Sequence, residues 1–249
     1  MKLAGDFKQN TKAWYSWRRG GLGASDAPVV MGVSPYSTRF ELWAQKTGLM
    51  ERPEPNAFQA AAMRRGHDLE PVARMLYENL VNDSFPAVSC QHENFDYIRA
   101  SLDGYSENSD KLIEIKCPGK VDHKAAQNGI IPEKYVIQIQ TQFAVSGASS
   151  GDYISYDGKE RENYKKALEK GGLVIISIEP DREMQADIIR SMQLFWELVQ
   201  TKVAPNVDAM DLTRVTEALS KHMDKINQAV EGLQVLNNAF ANQLVIGGK

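Results

Sequence analysis

Residues 100–118 read ASLDGYSENSDKLIEIKCP, with Asp103 at the end of one short apolar run and Glu114 and Lys116 two residues apart in the next. Alternate side chains of a strand share a face, so Glu114 and Lys116 are expected to project together while Ile113 and Ile115 enter a core. Two carboxylates can hold a hard divalent cation through oxygen, and an ammonium beside them can orient an attacking water or help deprotonate it. The pattern is therefore a signature of metal-dependent nuclease chemistry. Taken alone it also fits a bland reading, since Asp-Gly is a common hairpin turn and Glu-x-Lys a common solvated strand face.

Composition sets the outer bounds. The 249 residues are 43% hydrophobic and 24% charged, as in an ordinary globular protein. No apolar run approaches the ~18 residues of a membrane span, and the start, MKLAGDFKQNTKAW, has no apolar secretory stretch. A cytoplasmic protein with no membrane partner is expected. Cys90 and Cys117 are the only cysteines, with no CxxC pair or zinc-like spacing to the four histidines. The net charge of −3 hides an asymmetry: residues 1–75 carry 11 Lys/Arg against 7 Asp/Glu, and residues 76–202 carry 14 against 20. A basic surface within an acidic protein is enough to engage phosphates.

Periodicity places the motif strands in a mixed α/β order. Short helices are expected at Ser25–Met31, capped by Ser25, and after the capping box Thr38–Glu41, ending at Gly48. A long helix opens near Asn56–Gln59 and runs to about Leu80, with Pro71 kinking or dividing it beside Glu70. Strands are expected over residues 87–92, 97–102, 112–117, 152–156 and 173–178. Helices are expected over 132–145 and 181–203, giving a central mixed β-sheet flanked by helices with the motif strands in its middle. After Pro205, Leu212, Leu219, Ile226, Leu233 and Phe240 recur every seven residues. They form an amphipathic C-terminal helical extension that covers its stripe on its own domain or on a neighbouring subunit. Two parts follow: residues 1–205 and the extension 206–249.

Four more segments complete the constellation: WYSWRRGGLGASDAPVVMGVSPYSTRFELWAQKTG, RRGHDLEP, the ASLDG and LIEIKCP pair, and YVIQIQTQFAVSG. Together, from about Trp14 to about Tyr156, they resemble the YqaJ-type viral recombinase nucleases, the group related to phage lambda exonuclease. The resemblance implies a restriction-endonuclease-like core that degrades double-stranded DNA from 5′ ends. Such an enzyme releases mononucleotides and leaves a 3′ single strand for a single-strand annealing protein. It also implies a homotrimer around duplex DNA, Mg2+ as cofactor with Mn2+ able to substitute, and a phage or prophage origin.

Carried onto matching positions, the resemblance makes Asp103, Glu114 and the Ile115 backbone carbonyl metal ligands, with Glu70 a further carboxylate acting directly or through water. Lys116 becomes the water-positioning base or an electrostatic stabiliser, and Gln138 orients the water. Read from sequence alone, Glu70 is a helix-surface charge and Gln138 a helix-face amide, with Gln140 and Gln142 nearby. Arg18, Ser25 and Ser101 match the 5′-phosphate contacts, with Arg19 competing for the place of Arg18. Where the family has an arginine after the lysine, this chain has Asp122, with Lys120, His123 and Lys124 as substitutes. Trp14, Trp17, Tyr36 and Trp43 could stack on a base or fill the core. A sequence-specific endonuclease and a non-catalytic DNA-binding module are the alternatives.

Overall fold

The computed structural model describes residues 2–4, 11–207, 210–213 and 231. Its elements are β1 (Lys2–Leu3), α1 (Lys12–Arg19), β2 (Leu22–Gly23), a 3-10 turn at Ala24–Asp26, α2 (Ala27–Val30), α3 (Arg39–Lys46) and α4 (Ala57–Val81). Then come β3 (Val88–Gln91), β4 (Ile98–Leu102), β5 (Gly104–Ser106), β6 (Lys111–Lys116), α5 (Lys120–Gln127) and α6 (Glu133–Ser146). The last are β7 (Ser150–Tyr156), α7 (Tyr164–Glu169), β8 (Leu173–Ile178) and α8 (Arg182–Thr201). Among the described residues no helix is long and apolar enough to cross a membrane.

Helix starts follow local chemistry. Thr38 and Glu41 close the expected capping box at α3, and Asn56 and Gln59 close another at α4. Asp181 caps α8 by accepting the Met184 N–H at 3.0 Å. Ser25 is not a cap: the helical turn starts two residues earlier, at Gly23, whose N–H donates to the Asp26 carboxylate at 2.9 Å. Pro71 does not divide α4, which runs unbroken from Ala57 to Val81 and ends at left-handed Asn82. Of the C-terminal stripe only Leu212 lies within the described residues, where it is exposed; Leu219, Ile226, Leu233 and Phe240 lie outside them.

The fold is mixed α/β, and its strands form two four-stranded mixed sheets rather than one. The first has the order β1-β3-β4-β2, with β2 parallel to β4; the second is β5-β6-β7-β8, with β6 and β7 parallel. Asp103 alone separates β4 of one sheet from β5 of the other. Both motif strands, β4 and β6, are internal to their sheets.

The alternation expected of β6 is present. Ile113 and Ile115 pack with Leu69, Ala73, Leu76 and Tyr77 of α4 on one face. Leu112 packs with Ile139 and Phe143 of α6 on the other. Each such side chain contributes about 1.5–3 kcal/mol on burial. A polar hub ties α4 to the second sheet: Asp152 of β7, 4% exposed, accepts from Tyr77 Oη at 2.5 Å, Ser177 Oγ at 2.7 Å and Lys111 Nζ at 3.0 Å. Burial alone would raise the Asp152 carboxyl, but these three donors outweigh it and hold it below its ordinary range.

Candidate active site

Glu114 lies on the α6 face of β6 and is 1% exposed. Its Oε1 accepts from Gln138 Nε2 and its Oε2 from Gln142 Nε2, each at 2.6 Å, and the Lys116 ammonium pairs with Oε1. Gln138 and Gln142 are one helical turn apart, so a single face of α6 supplies both amides. Lys116 Nζ also lies 5.2 Å from the centroid of the Tyr135 ring, again from α6. Asp103 Oδ2 accepts the Ile115 N–H at 2.8 Å, which aims the carboxylate from the junction of the two sheets toward β6. Glu70, on α4, is held by Arg74 at 2.7 Å.

The electrostatics couple these groups. Burial, reinforced by Glu114 and Glu70, raises the Asp103 carboxyl well above the usual carboxylate range. Glu70 is raised as well, by burial and by Glu114 against the opposing Arg74. Burial opposes the charge on Lys116, but Glu114 and Asp103 outweigh it and hold the ammonium above its ordinary range. Burial pushes the neighbouring Cys117 thiol up to about 12, so it is an inert thiol at neutral pH.

A second group of expected residues is also brought together. Arg18 Nη2 donates to Ser25 Oγ at 2.6 Å, and the guanidinium lies 5.0 Å from the Trp14 ring. Trp14 Nε1 donates to Ser101 Oγ at 3.0 Å. The Ser101 carbonyl receives a long 3.5 Å contact from Gln142 Nε2, the amide that also serves Glu114. A chain of contacts thus runs from the Arg18–Ser25 pair to the buried carboxylate. Gly23 makes room for it, because a Cβ there would stand 2.4 Å from Arg18 Nη2.

Of the remaining expectations, Arg19 lines a separate cavity and does not join Ser25. Lys120 is exposed at the first position of α5. His123 is no phosphate contact: it is buried with Nδ1 at 2.8 Å from Ser155 Oγ and Nε2 at 2.9 Å from the Gly171 carbonyl. Asp122 is paired with Lys134 at 2.9 Å. Trp43 is core, its Nε1 donating to the Leu198 carbonyl at 3.1 Å.

Sequence reasoning missed the roles of Gln142, Arg74 and Arg65. Gln142 was recoverable as the i+4 partner of Gln138. Arg74 was recoverable in the same way from Glu70. Arg65 carried no such signal: it donates to the carbonyls of Cys117 at 2.6 Å, Pro118 at 3.2 Å and Asp157 at 2.8 Å, fastening α4 to the ends of β6 and β7.

Among the described residues, no three His, Cys, Asp or Glu side chains form a ready-made metal cluster. The donor chemistry nonetheless fits a hard divalent ion. Asp103, Glu114 and Glu70 offer only oxygen, and the burial and mutual repulsion that raise the Asp103 and Glu70 carboxyls are what a bound cation would offset.

The fold is shared with known nucleases. The crystal structure of an alkaline exonuclease (LHK-Exo) from Laribacter hongkongensis superposes with a TM-score of 0.65 at 27% identity, covering 84% of this chain and all of that one. The same enzyme in complex with dAMP gives 0.66 at the same identity and coverage. A phage-related exonuclease from Haemophilus somnus, 14% identical over 74% of this chain and 96% of its own, shares the fold with a TM-score of 0.51. The uncharacterised protein YqaJ of Bacillus subtilis is 25% identical over 245 residues, covering 97% of this chain and 71% of its own length. The profile of the YqaJ-like viral recombinase domain matches residues 13–149, a span that holds all but the first residue of α1, Glu70, the two motif strands and α6. The protein therefore belongs to the YqaJ-like viral recombinase family.

Proposed function

We propose that the protein is a divalent-metal-dependent exonuclease that degrades double-stranded DNA from 5′ ends, releasing mononucleotides and leaving 3′ single strands for recombination. The observation that carries this reading is the convergence of Asp103, Glu114, Lys116 and Glu70 around β6, with Glu114 almost wholly buried. Exonuclease activity in the 27% identical Laribacter enzyme, and its complex with dAMP, support a nuclease whose product is a nucleoside monophosphate.

In this reading Asp103, Glu114 and the Ile115 carbonyl hold Mg2+, which Mn2+ can replace, with Glu70 adding a carboxylate directly or through water. The bound ion supplies Lewis acidity for phosphodiester hydrolysis. Gln138 and Gln142 keep the Glu114 carboxylate in one orientation, and in this reading Gln138 also orients the attacking water. Of its two candidate roles, Lys116 suits the stabiliser of developing phosphate charge, because neighbouring carboxylates favour its protonated form. Arg18, with Ser25 and Ser101, takes the terminal 5′-phosphate, for which a planar guanidinium fork is well shaped. Lys120 is a weaker, peripheral contact. A homotrimer around duplex DNA, an annealing-protein partner, a phage or prophage origin and action in the bacterial cytoplasm complete the proposal. So does the division into a nuclease part, 1–205, and an extension, 206–249.

The test uses linear duplexes labelled at either the 5′ or the 3′ end, alongside unlabelled covalently closed circles, with Mg2+ or with EDTA. Early release of the 5′ label from linear DNA only, abolished by EDTA, is expected. Cutting of closed circles would establish an endonuclease instead, and binding without cleavage would leave a DNA-binding module.

A further inference from the structure

Arg18 and Arg19 are consecutive, yet they serve different places. Arg18 reaches Ser25, whereas Arg19 lines a cavity of about 560 Å³ with Lys46, Arg99, Lys202, Asp96 and Trp196. Lys46 is neutralised there by Asp26 at 3.0 Å. Arg19, Arg99 and Lys202 form no ion pair among the described residues. Three cations thus face one concave surface with Asp96 as the single acidic residue of its lining.

Arg99 is held as deliberately as Arg18. Its guanidinium lies 5.2 Å from the Trp17 ring, and its Nε donates to the Asp96 carbonyl at 3.0 Å. A Cβ at Gly21 would stand 2.9 Å from that Nε, and one at Gly20 would stand 3.3 Å from Nη1. The Gly20–Gly21 backbone and the indole therefore fix the fork while it faces the cavity. Ordering an arginine costs side-chain entropy and part of its hydration. The Asp96 carboxylate acts on the guanidinium only through its field, with no ion pair formed, which leaves donors of the fork for an anion from outside the chain.

We infer that this cavity is a second DNA contact, taking backbone phosphates of the strand whose 5′ end is bound at Arg18. Phosphate is the favoured anion because two guanidinium forks and an ammonium converge on it. The same strand is favoured because adjacent Cα atoms are ~3.8 Å apart and phosphates recur every ~3.4 Å along a duplex strand. The neighbouring seats of Arg18 and Arg19 therefore fall within a few nucleotides of each other. The inference rests on the nuclease reading above and adds a grip beyond the terminal phosphate.

The test measures duplex binding against salt concentration in EDTA, together with Mg2+-dependent kinetics on a short and a long 5′-phosphorylated duplex. Arg99 is partly buried, so the exposed pair Arg19→Gln and Lys202→Gln carries the test, with Arg99→Gln as a third variant. Each substitution is expected to reduce the salt slope of binding by about 1. KM on the long duplex is expected to rise about three- to tenfold for the double variant, with a smaller rise on the short one and an unchanged preference for 5′-phosphate over 5′-hydroxyl ends. A folded double variant with wild-type slope and wild-type KM on both duplexes would overturn the second contact while leaving the nuclease reading intact. A wild-type protein that cleaves no DNA, yet loses salt slope on substitution, would overturn the nuclease reading while leaving the anion site standing.

Discussion

Glu114 has both carboxylate oxygens occupied, by two amides from α6 and an ammonium from its own strand, and is 1% exposed. Arg18 pairs with one serine hydroxyl at the surface and lies over an indole. The first charge sits where water scarcely screens it, so each partner counts heavily and each lost partner leaves an uncompensated buried group. The second sits where screening is strong and a single contact is worth little until a phosphate arrives. Substitutions around Glu114 should therefore act on chemistry and stability together, and substitutions around Arg18 on affinity alone.

The largest expected effect tests the buried side. Asp103→Asn should lower metal-dependent nucleotide release by on the order of 10³ or more, while an asparagine oxygen still accepts the Ile115 N–H and the melting temperature is kept. Lys116→Ala should lose as much activity and also melt earlier, because the buried Glu114 then loses the ammonium that pairs with it. Near-normal turnover in folded Asp103→Asn protein would remove that residue from the site.

Next comes Gln142→Leu, which deprives the buried Glu114 of one donor. If the full penalty of about 1–3 kcal/mol falls on the transition state, kcat drops about fivefold to 150-fold, with the preference between 5′-phosphate and 5′-hydroxyl ends unchanged. If kcat holds and only the phosphate preference moves, Gln142 belongs with Arg18 and the contrast between the two regions dissolves.

Arg18→Ala should raise KM about tenfold on 5′-phosphorylated ends and much less on 5′-hydroxyl ends, as paired-substrate kinetics would show. Gly23→Ala should give the same pattern more weakly, since the added Cβ falls 2.4 Å from Arg18 Nη2. In the Arg18→Ala background the glycine change should be nearly silent. Additive losses in that double-mutant cycle would mean that the glycine serves something other than the guanidinium.

The smallest effect concerns an exposed carboxylate far more weakly placed than Glu114. Hydrogen bonds from Ser106 and Asn108 pull Asp83 down to about 2. A depressed carboxyl stabilises the fold above its unfolded value of ~3.9 and loses that contribution as pH falls toward the folded value. Asp83→Asn should therefore melt slightly earlier than wild type at neutral pH, and the gap should close as pH approaches 2. A gap that is independent of pH would locate the effect in loop geometry and not in charge.

The strands were legible because alternation and β-branched residues mark them: the runs at 97–102, 112–117 and 173–178 match β4, β6 and β8 to within one residue at each end. Capping chemistry at Thr38 and Asn56 was equally legible, being written within four residues. What failed depended on distant partners. Ser25 reads as a cap until Asp26 is seen accepting the Gly23 N–H, and the division into two sheets at Asp103 follows from strand pairing that no local pattern records. In the candidate site, the strand carboxylates announce themselves by spacing. Arg65 does not, because its three acceptors are carbonyls 52, 53 and 92 residues away in sequence.

The shortness of β5 has a consequence for how far this fold can be stabilised. Its ladder with β6 stops at the Gly104–Ile113 pair, so among the described residues the next stretch of β6, carrying Glu114 and Lys116, has no strand paired with it on that side. Asp103, which a longer hairpin would place opposite Glu114 as an ordinary ladder residue, instead turns its carboxylate onto the Ile115 amide. An engineer seeking thermostability would be tempted to extend the hairpin and satisfy that open edge. The extra rungs would rigidify the sheet and consume the space in which the carboxylates meet, trading activity for melting temperature.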